Sequence, residues 1–359
     1  MKQFARVASI NLGLIAVAIV AAELAFGSWI FGPDFGVLNL PRNERRVLDA
    51  SQFIPGATRV LYTRDSYGFR GPSPGTPERV DVIVLGGSTT NERFVSDEDT
   101  WVARLQENFR TGGRPFVFGN ASVDGQTSIG HMAALDHWLT KIPGLKPKYA
   151  LVYIGINDAA LGPEELKQFD AMMSPQRSRR FRQYVMNHSA LYNMYRSVRG
   201  TLRARQAHLM HGTRLVDDAE WRPVAERSDT ETLRVDLRPR LDAYGERLVA
   251  LTKRLQAMGA EPIFVTQRRG DAKIIDGVMQ RLVPRHIKTG PGDADVQTLS
   301  LFNAMTLGHC TRAGIACIDL EGNLEMSEED FYDGIHTTPS GSKKIADFLY
   351  GKLKTKLNP

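Results

Sequence analysis

The stretch Val80–Thr89, with the sequence VDVIVLGGST, decides the fold. Apart from Asp81, its residues up to Leu85 are apolar, which is typical of a strand buried on both faces of a parallel sheet. The two glycines that follow indicate a turn at the carboxyl end of the strand, and Ser88 comes directly after them. Working side chains of parallel α/β sheets lie at the carboxyl ends of strands. Ser88 is therefore a candidate functional residue.

Beyond this stretch, further apolar runs alternate with segments of helical periodicity. We predict strands at Val80–Leu85, Pro115–Asn120, Tyr149–Ile154, Pro262–Val265 and Ile315–Leu320. We predict helices at Thr100–Phe109, Ser128–Lys141, Leu237–Met258, Val296–Thr311 and Pro339–Leu353. The alternation predicts an α/β fold, a three-layer α/β/α sandwich with a mostly parallel sheet of about five strands.

The N-terminal segment differs in character from the rest of the chain. Lys2 and Arg6 precede an apolar stretch, Val7–Phe31, that is long enough to span a bilayer. Two interpretations stay open, a cleaved signal peptide and a retained membrane anchor. Both place the remainder in the cell envelope, anchored on the periplasmic side of the cytoplasmic membrane, or secreted. In such a compartment Cys310 and Cys317 could form a disulfide or remain buried thiols.

We divide the chain into a signal peptide or anchor at 1–31, a tether and irregular lead-in at 32–79, and a catalytic domain at 80–359. A mainly helical insertion at about 159–236 interrupts this domain, because no strand pattern occurs there. Within the insertion, residues 177–205 contain eight arginines and no acidic residue. This stretch is either a solvated helix face or a surface for anionic polysaccharide or lipid headgroups.

The overall composition excludes several classes of protein. The chain has 359 residues, of which 42% are hydrophobic and 24% charged, with a net charge of +6. This charge is too small to indicate nucleic-acid binding by itself. The sequence has no Cys/His spacing typical of zinc and no glycine-rich phosphate loop. We therefore expect no metal, no cofactor and no nucleic-acid partner.

Three short segments carry residues that acyl transfer requires: Gly86–Thr89, Gly155–Asp158 and Asp333–His336. The chemistry needs a hydroxyl nucleophile, a base, an acid that orients the base, and donors for an oxyanion. Each segment alone has a simpler interpretation: a helix cap, a turn or a structural histidine. Their joint occurrence in this order indicates an active site.

These segments resemble the blocks of the SGNH (GDSL-type) hydrolases, which are named for their Ser, Gly, Asn and His. Gly125 lies where the second block has its glycine, and the resemblance covers about residues 80–353. Gly87 and Thr89 stand where the family has Asp and Leu, as in a membrane-tethered branch. The resemblance implies a flavodoxin-like sandwich and no cofactor.

The resemblance also implies a role for each residue of the blocks. Ser88 would be the nucleophile, His336 the base and Asp333 its orienting partner. The backbone N–H groups of Ser88 and Gly125 and the side-chain amide of Asn157 would form the oxyanion hole.

Gln267 ends the fourth predicted strand and so points toward the same edge of the sheet. It either contacts the substrate or only terminates the strand.

Three functions stay open at this point. The first is a serine esterase that removes acyl or acetyl groups from a cell-envelope carbohydrate or another small ester. The second is an O-acyltransferase that uses the same triad on an envelope or exported polysaccharide, with a sugar hydroxyl in place of water. The third is a catalytically silent carbohydrate-binding protein. The sequence does not determine the acyl group or the oligomeric state.

Overall fold

The computed structural model describes residues 2–27, 29, 40–160, 162, 184–185, 188–192, 194–195, 198, 219–224, 230–275, 278–284 and 293–358. These residues divide into two compact units, each described by itself. The first unit combines Met1–Asn39 with Met173–His211, and the second combines Leu40–Met172 with Gly212–Pro359. Much of the predicted insertion at 159–236, including all arginines of 177–205, lies outside the described residues.

The strands are β1 (Glu44–Leu48), β2 (Val60–Arg64), β3 (Val82–Leu85), β4 (Phe118–Asn120), β5 (Tyr149–Tyr153), β6 (Ala219–Pro223), β7 (Glu261–Val265), β8 (Ala272–Ile275), β9 (Val278–Pro284) and β10 (Ala316–Ile318). The helices are α1 (Lys2–Phe26), α2 (Ser88–Asn91), α3 (Trp101–Thr111), α4 (Ser128–His137), α5 (Ile156–Ala160), α6 (Thr230–Ala257), α7 (Asp293–Ala313), α8 (Leu320–Asn323) and α9 (Pro339–Leu353). Short 3-10 turns cover Pro77–Arg79, Asp97–Asp99, Leu139–Lys141 and Glu328–Asp330.

A parallel sheet forms the centre of the second unit. Its five strands lie in the order β10-β7-β5-β3-β4, and every neighbouring pair is parallel. The predicted α/β fold is thereby confirmed, since each predicted strand overlaps one of these five. All residues of β3 and β5 are buried, as expected of central strands covered on both faces.

Alternate residues of each strand point to opposite faces of the sheet, so both faces carry side chains. Helices cover each face. On one face, side chains of β3, β5 and β7 share a core cluster with α3 and α9, formed by residues such as Val84, Leu151, Ile263, Phe109 and Leu349. On the other face, α6 packs against α4 and α7. There the Phe264 ring of β7 meets the His309 ring of α7 at 5.6 Å.

Two antiparallel arrangements were not predicted. Strands β1 and β2 form a hairpin within the predicted irregular lead-in. Strands β6, β9 and β8 form a second sheet, and β6 falls in the predicted helical insertion. The sequence pattern misses them because β1 (ERRVL) and β6 (AEWRP) are not apolar runs. Antiparallel strands outside the core lack the signal that marks buried parallel ones.

The lead-in from residue 40 onward belongs to the second unit. Arg70 is 2% exposed, and its guanidinium pairs with Asp97 and donates to the carbonyl oxygen of Val95 at 2.8 Å. The backbone N–H of Arg70 also donates to the carbonyl oxygen of Asn120 at the end of β4. These contacts bind the lead-in to the segment that follows α2.

Two further features concern the ends of the chain. In α1, the window Ser9–Phe26 is long and apolar enough to cross a membrane. Near the other end, Cys310 and Cys317 are joined in a disulfide, with their Cα atoms 5.9 Å apart. The pairing is the first of the two possibilities that the sequence left open.

Candidate active site

Ser88 begins α2 directly after the turn that closes β3. The turn has no room for side chains: a Cβ added to Gly87 would lie 2.2 Å from the Asn157 amide nitrogen. A Cβ added to Gly86 would lie 2.1 Å from the Thr90 hydroxyl oxygen. A side chain at either position would therefore displace Thr90 or the Asn157 amide, so glycine suits both positions of the turn that leads to Ser88 at the carboxyl edge of the sheet.

Ser88, His336 and Asp333 form one hydrogen-bonded chain. The Ser88 Oγ lies 2.8 Å from the His336 Nε2, and the His336 Nδ1 lies 2.7 Å from the Asp333 Oδ2. A carboxylate only accepts, so Nδ1 carries the proton and Nε2 faces the serine as an acceptor. The serine is 248 residues from the histidine, and the fold brings them into contact.

The Asp333 carboxylate is held in place by its own loop. Its Oδ1 accepts from the backbone N–H groups of Ile335 at 2.9 Å and His336 at 2.8 Å. Burial raises the pKa of Asp333, but the hydrogen bonds and charge of His336 and the backbone donors outweigh it, so the pKa is lowered. The Tyr332 ring stacks on the imidazole with a centroid distance of 5.5 Å. Asp333 is thus an ionised, fixed partner for the imidazole.

Asn157 lies in α5, which begins where β5 ends. Its side-chain Nδ2 donates to the carbonyl oxygen of Gln126 at 2.9 Å and lies beside Gly87. Gly125, next to Gln126, has φ +70°, a conformation that side chains disfavour. The structure therefore places the Asn157 amide between Gly87, the neighbour of Ser88, and Gln126, the neighbour of Gly125.

Asp158 fixes the position of the asparagine beside it. Its carboxylate accepts from the backbone N–H of Ser128 at 2.8 Å and pairs with Arg247 at 3.2 Å. Burial raises the pKa of this carboxyl, opposed by the hydrogen bonds from Ser128 and the charge of Arg247. Through Ser128 and Arg247, Asp158 thus ties α5 to the start of α4 and to α6.

Gln267 is 2% exposed and is bound at both ends of its amide. Its Oε1 accepts from the backbone N–H of Ile156 at 2.7 Å, and its Nε2 donates to the Thr89 hydroxyl at 2.9 Å. Gln267 thus bridges Ile156, which precedes Asn157, and Thr89, which follows Ser88. This geometry favours a structural role over the substrate contact considered from the sequence.

Glu92 contacts the histidine loop of the candidate site, and no sequence motif points to it. Its Oε1 accepts from the hydroxyls of Ser342 and Thr337, the residue after His336, while its Oε2 accepts from the backbone N–H of Trp101 at 2.7 Å. Burial raises the pKa of Glu92 to about 7, against the hydrogen bonds that lower it. The residue has φ +46°, uncommon outside glycine. Glu92 therefore connects the end of α2 to the histidine loop.

A second buried network links the lead-in to the loop of Gly125. The Arg64 Nη2 donates to the Asn91 Oδ1 at 2.9 Å and to the carbonyl oxygen of Ser122 at 2.8 Å. The Asn91 Nδ2 in turn donates to the Asp124 Oδ1 at 2.6 Å. One arginine among several in a segment predicted to be irregular gives no sequence signal for such a role.

The sequence model of the GDSL-like Lipase/Acylhydrolase family matches residues 84–262 of the chain. The match includes Ser88, Gly125 and Asn157, whereas Asp333 and His336 lie beyond it. A comparison with curated protein sequences finds no match.

Several solved structures are similar to the chain. The psychrotrophic esterase EstA from a Pseudoalteromonas species has 16% identity and a TM-score of 0.42, covering 78% of this chain and 100% of its own. A catalytic mutant of Axe2, an acetylxylan esterase from Geobacillus stearothermophilus, has 11% identity and a TM-score of 0.42. The similarity covers 76% of this chain and 93% of that esterase. A GDSL-like lipase from Bacteroides thetaiotaomicron has 14% identity and a TM-score of 0.40. The similarity covers 78% of this chain and 90% of that lipase.

Proposed function

Because the chain belongs to the GDSL-like lipase/acylhydrolase family and is a carboxylic ester hydrolase, we propose that Ser88 is its nucleophile. The proposed substrates are acyl esters, above all acetyl esters, of a cell-envelope carbohydrate. The observation that carries the proposal is the hydrogen-bonded chain from Ser88 through His336 to Asp333. A serine, a base and an orienting acid in this arrangement form the machinery of acyl transfer.

The proposed reaction has two halves. The Ser88 Oγ attacks the ester carbonyl carbon while the His336 Nε2 takes the hydroxyl proton, and Asp333 stabilises the resulting imidazolium. The imidazolium then protonates the leaving sugar oxygen, which departs and leaves an acyl-serine. Water, deprotonated by the same imidazole, attacks the acyl-serine, and the imidazolium returns the proton to the Ser88 Oγ as the carboxylic acid is released.

The oxyanion that forms in each half needs donors in fixed positions. In the proposal these are the backbone N–H groups of Ser88 and Gly125 and the Asn157 side-chain amide. A primary amide nitrogen carries two hydrogens. One of these binds the carbonyl oxygen of Gln126, and the other donates to the oxyanion.

The proposed location is the cell envelope, with α1 as the anchor. An apolar helix whose window Ser9–Phe26 contains no buried residue supports this placement. The Cys310–Cys317 disulfide supports it as well, because such bonds persist in oxidising compartments. Envelope carbohydrates that carry acyl groups are among the esters within reach there.

The direct test measures release of p-nitrophenol from p-nitrophenyl acetate. Ser88→Ala and His336→Ala should each abolish turnover, and the double variant should be little worse than either single one, because the triad acts as a unit. Ser51→Ala, at an exposed serine, is the matched control and should keep full activity. Full activity in Ser88→Ala would refute the mechanism, and an inactive wild-type chain would favour a silent binding protein.

A second measurement identifies the acceptor. The wild-type chain is incubated with the aryl ester, with and without a deacetylated glycan, and acetate and acetylated glycan are both measured. We expect free acetate as the main product in both cases. Acetyl transfer to the glycan at the expense of acetate would show an O-acyltransferase that uses the same acyl-serine.

A further inference from the structure

Helix α1 exposes apolar side chains along its length. Leu12, Val17 and Leu24 are 67%, 67% and 56% exposed, and the helix is long enough to cross a bilayer. An apolar surface of this size is stable in lipid and unfavourable in water.

A second apolar surface occurs in the same compact unit. The side chains of Leu191, Met194, Tyr195 and Val198 are 37%, 61%, 53% and 57% exposed. All four residues are helical, and intervals of three and four residues place them on one side of a helix. We refer to these four side chains as the 191–198 face.

Hydrogen bonds connect the end of α1 to the start of this face. The Glu23 carboxylate accepts from the Ser189 hydroxyl at 2.6 Å and from the backbone N–H groups of Ala190 at 2.9 Å and Leu191 at 3.3 Å. It also accepts from the Trp29 indole N–H at 2.8 Å. A carboxylate in an apolar helix is costly unless it is paired, so these donors account for the presence of Glu23.

Close packing reinforces the connection. A Cβ added to Gly27 would lie 2.7 Å from the carbonyl oxygen of His188, so no other residue fits there. The Trp29 ring lies 5.8 Å from the His188 ring and 6.3 Å from the Tyr184 ring. Tryptophan and tyrosine are enriched where a membrane meets water. The contacts place the beginning of the 191–198 face at the level where α1 would leave the bilayer.

The charge of the surrounding sequence indicates the partner. Residues 177–205, which include the 191–198 face, contain eight arginines and no acidic residue. Apolar side chains beside many cations are typical of segments that lie on anionic lipid. We infer that the 191–198 face lies in the surface of the membrane that α1 spans, in contact with anionic phospholipid. The inference rests on the proposed anchoring by α1 and adds a second, interfacial contact.

The test measures membrane depth in the full-length chain, reconstituted in vesicles of phosphatidylcholine and phosphatidylglycerol. A fluorophore is attached to single cysteines introduced as Met194→Cys, Val17→Cys and Gly351→Cys, since the native cysteines are bonded to each other. Gly351 is an exposed control position, and a side chain added there meets nothing within 4 Å. Quenchers attached at shallow and deep positions of the lipid report the depth of each label.

We expect the labels at Met194 and Val17 to be quenched at least about twofold more than the label at Gly351, Met194 by shallow and Val17 by deep quenchers. Vesicles of phosphatidylcholine alone should reduce the quenching at Met194 at least about twofold. Quenching at Val17 with none at Met194 would overturn the inference and leave the anchor intact. Absence of quenching at Val17 would overturn the anchor itself. Self-quenching between Met194 labels without lipid quenching would place a second copy on this face and also overturn the inference.

Discussion

Replacement of Glu92 by glutamine is expected to change how the stability of the protein depends on pH. The carboxylate accepts through both oxygens, from Trp101 on one side and from Thr337 and Ser342 on the other. An amide keeps one acceptor for the backbone N–H of Trp101 and places an NH2 group against the two hydroxyls, which accept as well as donate. In acid, where Glu92 is neutral and the amide is its close analogue, we expect Glu92→Gln to change the free energy of unfolding by less than about 1 kcal/mol.

The magnitude of the pH effect follows from the pKa. Glu92 has a pKa of about 7 in the folded protein against 4.5 for an ordinary glutamate, chiefly because of burial. The folded state therefore binds the proton more tightly than the unfolded state does. The stabilising contribution is full below pH 4.5 and is lost as the pH rises through about 7. Each pKa unit corresponds to about 1.4 kcal/mol, so the total loss is about 3.5 kcal/mol, of which about 3 kcal/mol falls between pH 4.5 and pH 8.

The assay is urea unfolding of the full chain in detergent between pH 4.5 and pH 8, followed by far-UV circular dichroism. At each pH, the free energy of unfolding of Glu92→Gln is subtracted from that of the wild type. The contributions of the other titrating groups, which both proteins share, cancel in this difference. We expect this difference to fall by about 3 kcal/mol from the lowest to the highest pH. Glu98→Gln, at an exposed glutamate, is the matched control and should give a difference that does not change with pH.

Parallel stability profiles for wild type and Glu92→Gln would refute the reasoning. They would mean that Glu92 binds protons equally in the folded and unfolded states. A difference that grows with pH would contradict the sign, because it would require hydrogen bonds and charge to outweigh burial.

Further expectations concern the proposed oxyanion donors, the buried ion pair and the proposed anchor. Asn157→Ala should lower kcat on the aryl ester about 10²–10³-fold, the scale of one lost oxyanion donor. Gly87→Ala should cause a loss of similar size with an unchanged circular dichroism spectrum, because its Cβ would displace the Asn157 amide. Arg247→Met should lower the free energy of unfolding by about 3–5 kcal/mol, since it leaves Asp158 buried and unpaired. Deletion of residues 1–32 should move the protein into the soluble fraction and keep kcat/KM on the aryl ester within about twofold.

The central sheet could be predicted because each of its strands overlaps a short, mainly apolar stretch of sequence. Burial on both faces forces this pattern, and the alternation with helices then determines the parallel topology. The hairpin and the second sheet could not be predicted in the same way. Strand β1 carries Glu44, Arg45 and Arg46, and its residues are mostly exposed, so no periodic pattern distinguishes it from a loop.

The candidate site, like the fold, contains residues that the sequence could predict and one that it could not. Ser88, Asn157 and His336 lie in short motifs whose residues are adjacent in sequence, so they could be identified without a structure. Glu92 could not, because its partners Thr337 and Ser342 are 245 and 250 residues away. In sequence it is one charged residue among several polar ones, and only burial reveals its role.

The packing of Arg70 against Asp97 has a practical consequence for anyone who cuts this gene into fragments. The family match begins at residue 84, which suggests an expression boundary near residue 80. A fragment cut there would lose Arg70 and leave Asp97, which is 6% exposed, buried without its cation. Such a loss costs about 3–5 kcal/mol, a large share of the stability of a typical domain. A shortened gene that starts near Leu40 keeps the whole folding unit and should yield the better-behaved protein.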